Sequence, residues 1–383
     1  MKFANGEWRA VNGEWQTLTP SVGDAGFENL LQQHNSPTAA TFSPETDTDA
    51  VGVVTQREQL RSEETMDFFW DHGLFFGTCR LAIDSTRTQT AGFCSHAHAD
   101  HIGRHGITLC TAETELLIRH RMTLKRAIFR TLHYREPTTW GGMQLTAFPA
   151  GHCLGSAVLL VETESGRRIL YTGDFRLVPS FTAGGAELPT ADVLIMESTF
   201  GDPRYQMPPR ELVIEQLCDV VYHAIATGRI PIVRAYALGK AQEVTRILSD
   251  AGFMVDQSPE VAGITDIYEN CGVHVGRRRI VRLGEPLDPN AVLVVAPQHD
   301  TYASLNPNAF RIAVTGWAIH PKAAAKLRVD VAIPLTDHVD YPDLFVAVEQ
   351  VHPKEIYCIH GPFEFADRLK EAGWNAKNVT PES

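Results

Sequence analysis

The sequence lacks the features that mark a membrane or exported protein. None of its 383 residues lies in an apolar run that approaches the roughly 18 residues of a membrane span. The stretch from Met1 to Pro20 also lacks the charged and then apolar layout of a signal peptide. We therefore expect a protein of the cytoplasm that does not enter the membrane.

Paired cysteines are missing as well. The seven cysteines are odd in number and scattered, and no two of them form a Cys-x-x-C pair. Such a set is typical of reduced thiols rather than of a disulfide framework. This pattern also favours the cytoplasm, where thiols stay reduced.

An excess of positive charge is absent. The chain has 34 Lys and Arg against 46 Asp and Glu, so its formal net charge is -12. Long-range attraction to nucleic acid or to an anionic membrane follows the summed charge, and the composition argues against it. Any anionic substrate must therefore be captured by local groups.

The first 64 residues differ from the rest. Asn5-Gly-Glu-Trp8 recurs as Asn12-Gly-Glu-Trp15, and the stretch that follows is rich in Thr, Ser, Pro, Asp and Gln. Asn-Gly pairs suit tight turns, so a small hairpin and a mostly flexible arm are both compatible with this composition. We expect residues 1–64 to form an appendage that is partly flexible.

From Phe68 onward, short apolar runs alternate with helical patterns, which is typical of layered α/β structure. The predicted strands are Ala157 to Glu162, Arg168 to Thr172, Val193 to Met196, Ile230 to Ala235, Val292 to Val295, Phe310 to Val314 and Val331 to Leu335. The predicted helices are Ala112 to Leu124, Gly239 to Ala251, Tyr341 to Val351 and Phe363 to Ala372.

The most informative motif is His-Ala-His-Ala-Asp-His, from His96 to His101. Imidazole nitrogen and carboxylate oxygen are the ligands of zinc in sites that keep a position open for water. In an extended segment His96, His98 and Asp100 share one face, so two imidazoles can bind one ion while Asp100 and His101 reach a second. The motif predicts a metal site that activates water.

Two later residues extend this motif. His152 lies between Gly151 and Gly155, and Asp174 comes directly after a predicted strand. Alone, His152 is more often a core histidine and Asp174 a turn residue, but loops at strand ends are where ligands gather. His152 and Asp174 therefore support a metal site only in combination with the histidine motif.

Taken together, these residues and Asp84 resemble the successive motifs of the metallo-β-lactamase superfamily. The resemblance implies an α/β fold, a four-layer αββα sandwich with one or two metals at one edge of its sheets. The roles it implies are a first zinc on His96, His98 and His152, a second on Asp100 and His101, a bridge at Asp174 and a supporting place behind the site for Asp84.

Three further motifs resemble motifs A, B and C of the β-CASP nucleases, the branch that processes DNA and RNA. They are Glu197 in Met196-Glu-Ser-Thr-Phe200, His338 in Thr336-Asp-His-Val-Asp-Tyr341 and His360 in Cys358-Ile-His-Gly361. The resemblance implies that His360 completes the second zinc, that His338 protonates the leaving oxygen and that Glu197 orients His338. The implied catalytic residues are thus His338, Glu197 and Asp84.

The segment between motifs A and B looks like a β-CASP insertion that forms a second lobe. We expect the metallo-β-lactamase domain at residues 65–203 and 326–383 and the insertion at 204–325. Four arginines of the insertion could bind phosphates, or they could form an ordinary solvated face. They are Arg277, Arg278, Arg279 and Arg282.

The resemblance implies a zinc-dependent phosphodiesterase that cleaves nucleic acid with metal-activated hydroxide, using two Zn²⁺, for which Mn²⁺ could substitute. Val314-Thr-Gly-Trp317-Ala and Gly373-Trp-Asn-Ala376 look similar to bacterial ligase-associated DNA exonucleases, which favours DNA repair beside a ligase or helicase. His360 also matches the RNA-processing type, so an RNA-processing nuclease of the mRNA 3′-end processing type is the near alternative. A small-molecule metallo-hydrolase and an inactive nucleic-acid-binding subunit are more remote ones.

Overall fold

The computed structural model describes residues 67–122, 127–299 and 301–379, and the backbone of three short strands near the amino terminus. These strands are Lys2–Phe3, Gly6–Val11 and Glu14–Thr17. They pair antiparallel in chain order, with Val11 opposite Glu14. This pairing agrees with the hairpin alternative for the repeated motif, and the partly flexible appendage stays a prediction, most of which lies outside the described residues.

A seven-stranded sheet forms one half of the main body. Its strands, in spatial order, are Thr138–Trp140, Met143–Pro149, Ala157–Glu162, Arg168–Tyr171, Val193–Glu197, Glu355–Ile359 and Ala376–Asn378. The first four are antiparallel, and the last three continue in parallel. Glu197 pairs with Ile359, so motif A and motif C meet at one end of the sheet.

A six-stranded sheet forms the other half. Its strands, in spatial order, are Phe68–Trp70, Leu74–Phe76, Leu81–Ile83, Ala91–Phe93, Ile107–Cys110 and Ile128–Thr131. Phe76, Phe93 and Leu109 of this sheet pack in one buried cluster with Leu159 and Ile195 of the other. The two sheets therefore face each other across an apolar core.

Successive side chains of a strand point to opposite faces of the seven-stranded sheet, and both faces are apolar. In Ala157–Glu162 the odd-numbered residues point between the sheets, whereas Val158 and Leu160 lie on the opposite face. That face is covered by the helices Tyr341–Val351 and Glu364–Glu371.

The six-stranded sheet is covered on its outer side by the helix Ala112–Arg121. Leu117 and Ile118 of this helix pack with Cys94 and Cys110 from the sheet. Together with the two helices on the other side, this helix completes the predicted αββα sandwich.

The inserted segment forms a separate sheet in which every pairing is parallel. Its spatial order is Arg279–Ile280, Met254–Gln257, Ala291–Val295, Ile230–Arg234, Ala309–Val314 and Val331–Ile333. The last strand thus pairs with the inserted sheet although it follows residue 325, and the domain boundaries given above stay a prediction.

The helices of this lobe are Arg210–Ala226, Lys240–Asp250, Pro259–Asn270, Thr301–Ser304 and Ala323–Leu327. The apolar sides of the first three helices share a buried cluster with Cys153 and Leu154 of the main body, so the lobe packs on the sandwich. Among the helices that the structure describes, none has the length and apolar content needed to cross a membrane.

Candidate metal centre

The histidine motif forms a turn at the end of the strand Ala91–Phe93. His96 is fully buried, and His98 precedes a single 3₁₀ turn, Ala99–His101. The turn points His101 inward, whereas Asp100 remains exposed. The motif therefore turns the rings of His96 and His101 into the interior and leaves its carboxylate near solvent.

Three imidazole nitrogens converge in the structure. His98 Nδ1 lies 2.9 Å from His96 Nε2 and 3.0 Å from His152 Nε2. One donor atom from each of these residues and one from Asp174 all lie within 4.8 Å of one another. The structure thus brings together the four residues that the sequence assigns to the first metal and the bridge.

The hydrogen bonds of two of these rings test whether the cluster fits a metal. His98 Nε2 donates to the carbonyl of Leu238 at 3.2 Å, and His152 Nδ1 donates to the carbonyl of Asp337 at 3.1 Å. Burial lowers the pKa of His98 to about 4 and that of His152 to about 3, so both rings are neutral at pH 7.

In these neutral rings the two facing nitrogens carry lone pairs rather than protons. Two lone pairs 3.0 Å apart repel each other, and a cation between them removes this repulsion. Anchoring of the outer ring nitrogen is also the usual environment of a metal-binding histidine. The donor set therefore fits a divalent metal.

A single oxygen of Asp174 faces donors on both sides of the cluster. Its Oδ2 atom lies 3.5 Å from His96 Nε2, 3.9 Å from His152 Nε2 and 3.5 Å from His101 Nε2. A carboxylate in this place can contact two ions at once. The arrangement supports the bridging role that the sequence predicts for Asp174.

The remaining predicted ligands lie around His101. Asp100 Oδ2 is 3.8 Å from His101 Nε2, and the His360 ring centre is 6.0 Å from that of His101. His360 has a positive φ of 52° and is exposed. This side of the cluster is more open than the first, and the second metal stays a prediction.

Asp84 supports the cluster from the sandwich side. It accepts hydrogen bonds from Ser95 N at 2.7 Å, Ser95 Oγ at 2.5 Å, Tyr171 Oη at 2.7 Å and His101 Nδ1 at 2.9 Å. Burial alone would lower the pKa of His101, but the carboxylates of Asp174 and Asp84 raise it to about 10. Asp84 therefore fixes both the loop backbone and the orientation of His101.

Glu197 and His338 form an ion pair next to the cluster. His338 Nδ1 lies 2.9 Å and 3.0 Å from the two carboxylate oxygens of Glu197. Glu197 is fully buried and also accepts from Phe175 N at 2.8 Å and Thr199 Oγ1 at 2.6 Å. The carboxylate is therefore fixed before it orients the imidazole.

This pairing determines the charge of His338. Burial opposes protonation, but the Glu197 and Asp174 carboxylates raise the pKa of His338 to about 10. The His338 ring lies against that of His152, with centres 4.6 Å apart. A protonated imidazole thus lies directly beside the candidate metal ligands.

The four arginines lie at the edge strand Arg279–Ile280 of the inserted sheet and beside it. Arg279 contacts both oxygens of Asp256, at 2.7 Å and 3.0 Å, and Arg278 pairs with Asp266. Arg282 lies 3.8 Å from Glu285. Three of the four charges are therefore already paired, which favours the solvated-face interpretation, and phosphate binding stays a prediction.

Sequence reasoning gave no role to Asp337, which lies inside motif B, or to Lys240, which lies in a predicted helix. Asp337 precedes His338 and is buried, with its Oδ1 atom 3.1 Å from Lys240 Nζ. An acidic residue next to a candidate catalytic histidine was a usable signal. The contact of the Leu238 backbone carbonyl with His98 left no signal in the sequence, because a residue of any type supplies a carbonyl.

Comparisons with known proteins agree with this geometry. A family model described as a β-lactamase superfamily domain matches residues 69–238. A probable DNA ligase of Opitutus terrae is 33% identical over 311 residues, which make up 81% of this chain and 31% of that protein. Endoribonuclease YSH1 of Eremothecium gossypii is 36% identical over 122 residues, which make up 31% of this chain and 15% of that protein.

The chain thus spans less than a third of the length of either relative. A crystal structure of a protein of unknown function from Enterococcus faecalis has a TM-score of 0.51 and 15% identity, covering 89% of this chain and 90% of that one. That likeness concerns the fold alone. Together with the relatives and the cluster of His and Asp donors, the match to the family model shows that the chain belongs to the metallo-β-lactamase superfamily, in its β-CASP branch.

Proposed function

We propose that this protein is a two-zinc nuclease, and that its substrate is DNA in a repair reaction. The observation that carries the proposal is the Glu197 and His338 pair beside the histidine cluster. Hydrolysis of a phosphodiester expels an alkoxide, which needs a proton, and a protonated imidazole supplies one near neutral pH. A site that only cleaves esters or lactams gives no reason for this additional pair.

The roles of the metal-binding residues follow from the donor set. His96, His98 and His152 would hold the first ion, Asp174 would bridge, and the open side has one group of candidate ligands. That group consists of Asp100, His101 and His360. Bound zinc supplies Lewis acidity, lowering the pKa of water towards neutrality and neutralising charge on phosphoryl oxygens.

The chain's own residues then orient the reacting groups and supply the proton for the leaving oxygen. His338 holds a proton on a ring whose Nδ1 is bound to Glu197, so the proton for the leaving oxygen would come from Nε2. Glu197 keeps the ring protonated and in one orientation. Asp84 holds the loop that carries the first histidines. Hydroxide that bonds to phosphorus would break the bond to the leaving oxygen, which takes the proton of His338, and the ring would regain a proton from water.

Zinc is proposed over other divalent ions because of the ligand types. Three imidazoles suit zinc, whereas sites for magnesium or calcium consist mainly of oxygen donors. The bridging carboxylate also accommodates Mn²⁺, which we expect to support activity in place of zinc.

The choice of DNA rests on two supports. The stretches around Trp317 and Trp374 resemble those of ligase-associated exonucleases, and a relative named as a probable DNA ligase aligns over 81% of the chain. A ligase or helicase of a repair system is the corresponding partner. The alternative is RNA, which is favoured by His360 and by the likeness to an endoribonuclease over 122 residues.

The domain proposal places the substrate between the sandwich and the inserted lobe. Leu238 of the lobe contacts His98, so the cluster lies where the two parts meet. All seven cysteines are free thiols, which supports a reducing compartment such as the cytoplasm.

The deciding experiment uses the purified chain with added Zn²⁺ or Mn²⁺ and four end-labelled substrates, single- and double-stranded DNA and RNA. Shortening of DNA from one end supports the repair exonuclease. Cleavage of RNA alone, or internal cleavage, supports the RNA-processing alternative. Hydrolysis of a generic ester or lactam with all four nucleic acids intact would contradict both.

A further inference from the structure

A buried ion pair joins the inserted lobe to the loop of motif B. Lys240 is the first residue of the helix Lys240–Asp250, and its side chain is 1% exposed. Its Nζ atom lies 3.1 Å from Oδ1 of Asp337, whose side chain is 13% exposed. The pair therefore connects the lobe to the residue that directly precedes His338.

The residues next to Lys240 also touch the cluster. The carbonyl of Leu238 accepts from His98 Nε2 at 3.2 Å. Gly239 has a φ of +86°, and a Cβ atom placed there would lie 3.2 Å from Cys153 Cβ and 3.8 Å from the carbonyl of His152. Glycine permits both this backbone conformation and this close approach.

Asp337 completes the connection on the other side. Its backbone carbonyl accepts from His152 Nδ1 at 3.1 Å while its carboxylate binds Lys240. One peptide segment, Leu238–Lys240, is therefore linked to the outer nitrogens of two candidate metal ligands. It binds His98 directly, and it reaches His152 through Asp337.

Burial excludes a role for Lys240 in direct contact with substrate. Its ammonium nitrogen has no accessible surface, and burial lowers its pKa to about 8 although Asp337 raises it. The Lys240 ammonium and the nearby histidines lower the pKa of Asp337, although burial opposes this. Burying the charges of Lys240 and Asp337 costs desolvation free energy. Buried ion pairs that are kept despite this cost often hold a specific geometry.

We propose that Leu238–Lys240 is a positioning element of the hydrolytic centre, in which Lys240 acts through Asp337 on His152 and His338. The inserted lobe then does more than enclose substrate, because it fixes the rings that bind metal and donate the proton. This inference rests on the proposed function only for its activity readout.

The test compares three purified proteins with the wild type. Lys240→Met removes the cation and keeps the length of the side chain, and Lys240→Met with Asp337→Asn removes both charges, so that no buried carboxylate is left unpaired. Arg246→Met is the matched control, because Arg246 lies on the same helix in an exposed pair with Asp250.

We expect kcat to fall about 10- to 100-fold in both Lys240 variants, with KM changed much less, as found for residues that orient metal ligands. The visible spectrum of the Co²⁺-substituted protein should change in the same variants, and the control should match the wild type in both measurements. The double variant keeps the test valid if Lys240→Met does not fold.

Wild-type kcat and an unchanged Co²⁺ spectrum in the double variant would overturn the proposal. So would a loss that appears only in KM, which indicates substrate binding. If the wild type cleaves no nucleic acid, the proposed function fails, but the Co²⁺ spectra still decide whether Lys240 positions the ligands.

Discussion

At the scale of residues, four imidazoles of the centre are oriented by two kinds of partner. His98 and His152 donate to backbone carbonyls, whereas His101 and His338 contact carboxylates. The carbonyl partners leave Nδ1 of His98 and Nε2 of His152 free for a metal, and the Glu197 carboxylate keeps His338 protonated, so residues of one type receive different chemical roles. Glu197, and not the residue type, separates the proposed proton donor His338 from the ligands of the first metal.

Replacing His338 tests this division. His338→Ala should keep its metal, because the ring is assigned to proton donation, and should lose cleavage by a factor of about 100 or more. Metal analysis and kcat measured on the same preparation check this result. His274→Ala, at an exposed ring elsewhere in the lobe, is the control. Normal activity in His338→Ala would remove it as the acid.

Removing the charge of Glu197 should change the pH dependence of activity. His338 must be protonated to act, and Glu197 raises its pKa, so activity should persist to alkaline pH and fall as the pH rises through that pKa. In Glu197→Gln the neutral amide no longer stabilises the imidazolium, and the alkaline limb of kcat/KM should move down by about one unit or more. An unchanged alkaline limb would show that Glu197 does not set this pKa.

At the scale of elements, strand ends and the loops after them assemble the centre. Parallel pairing of Val193–Glu197 with Glu355–Ile359 brings motifs A and C to one sheet end, and the turn after Ala91–Phe93 brings the histidine motif there. Because the loop residues have few backbone bonds of their own, they depend on side chains for their shape.

Asp84 is the main such tether. Asp84→Ala would leave Ser95 and Tyr171 with unpaired buried donors, and the free energy of unfolding should fall by roughly 2–4 kcal/mol. Tyr171→Phe removes only the hydroxyl and should cost about 1 kcal/mol. Denaturant titration of the metal-free proteins measures both. Equal stability of Asp84→Ala and wild type would contradict the tethering role.

The elements themselves were largely predictable. The helix Tyr341–Val351 and the strand Ala157–Glu162 have the predicted bounds, because the helix has an apolar period near 3.6 residues and the strand is a short continuous apolar run buried on both faces. The helix predicted to run to Leu124 ends at Arg121. Helix ends depend on local capping, which a periodic pattern does not encode.

At the scale of the whole molecule, long-range pairing limited what the sequence could predict. The histidine motif indicated a metal because its donors lie within six consecutive residues, and the roles of the distant ligands followed only from the family resemblance. The Lys240 and Asp337 pair joins residues almost 100 positions apart, of which only Asp337 lies in a motif that the sequence identified. Its formation depends on how the lobe packs, which apolar periodicity does not determine.

Charge distribution gives a further prediction at this scale. The net charge is -12, and three of the four lobe arginines are paired with carboxylates, whereas Arg277 forms no ion pair within the described ranges. If this edge binds a phosphate, Arg277→Ala should reduce the salt dependence of DNA binding by about one ion. Arg279→Ala, where the charge is already neutralised, is the control. Equal slopes in both variants and the wild type would remove the arginines from the substrate site.

We propose that the histidine cluster holds metal for phosphodiester hydrolysis. To test this, the protein is stripped with a chelator, Zn²⁺ is added back in steps, and bound metal and cleavage of end-labelled DNA and RNA are followed together. We predict that cleavage is absent without metal and rises as about two ions bind, and that Asp174→Ala neither binds both ions nor cleaves. Cleavage that persists in the stripped protein, or two ions bound with every nucleic acid intact, would contradict the account.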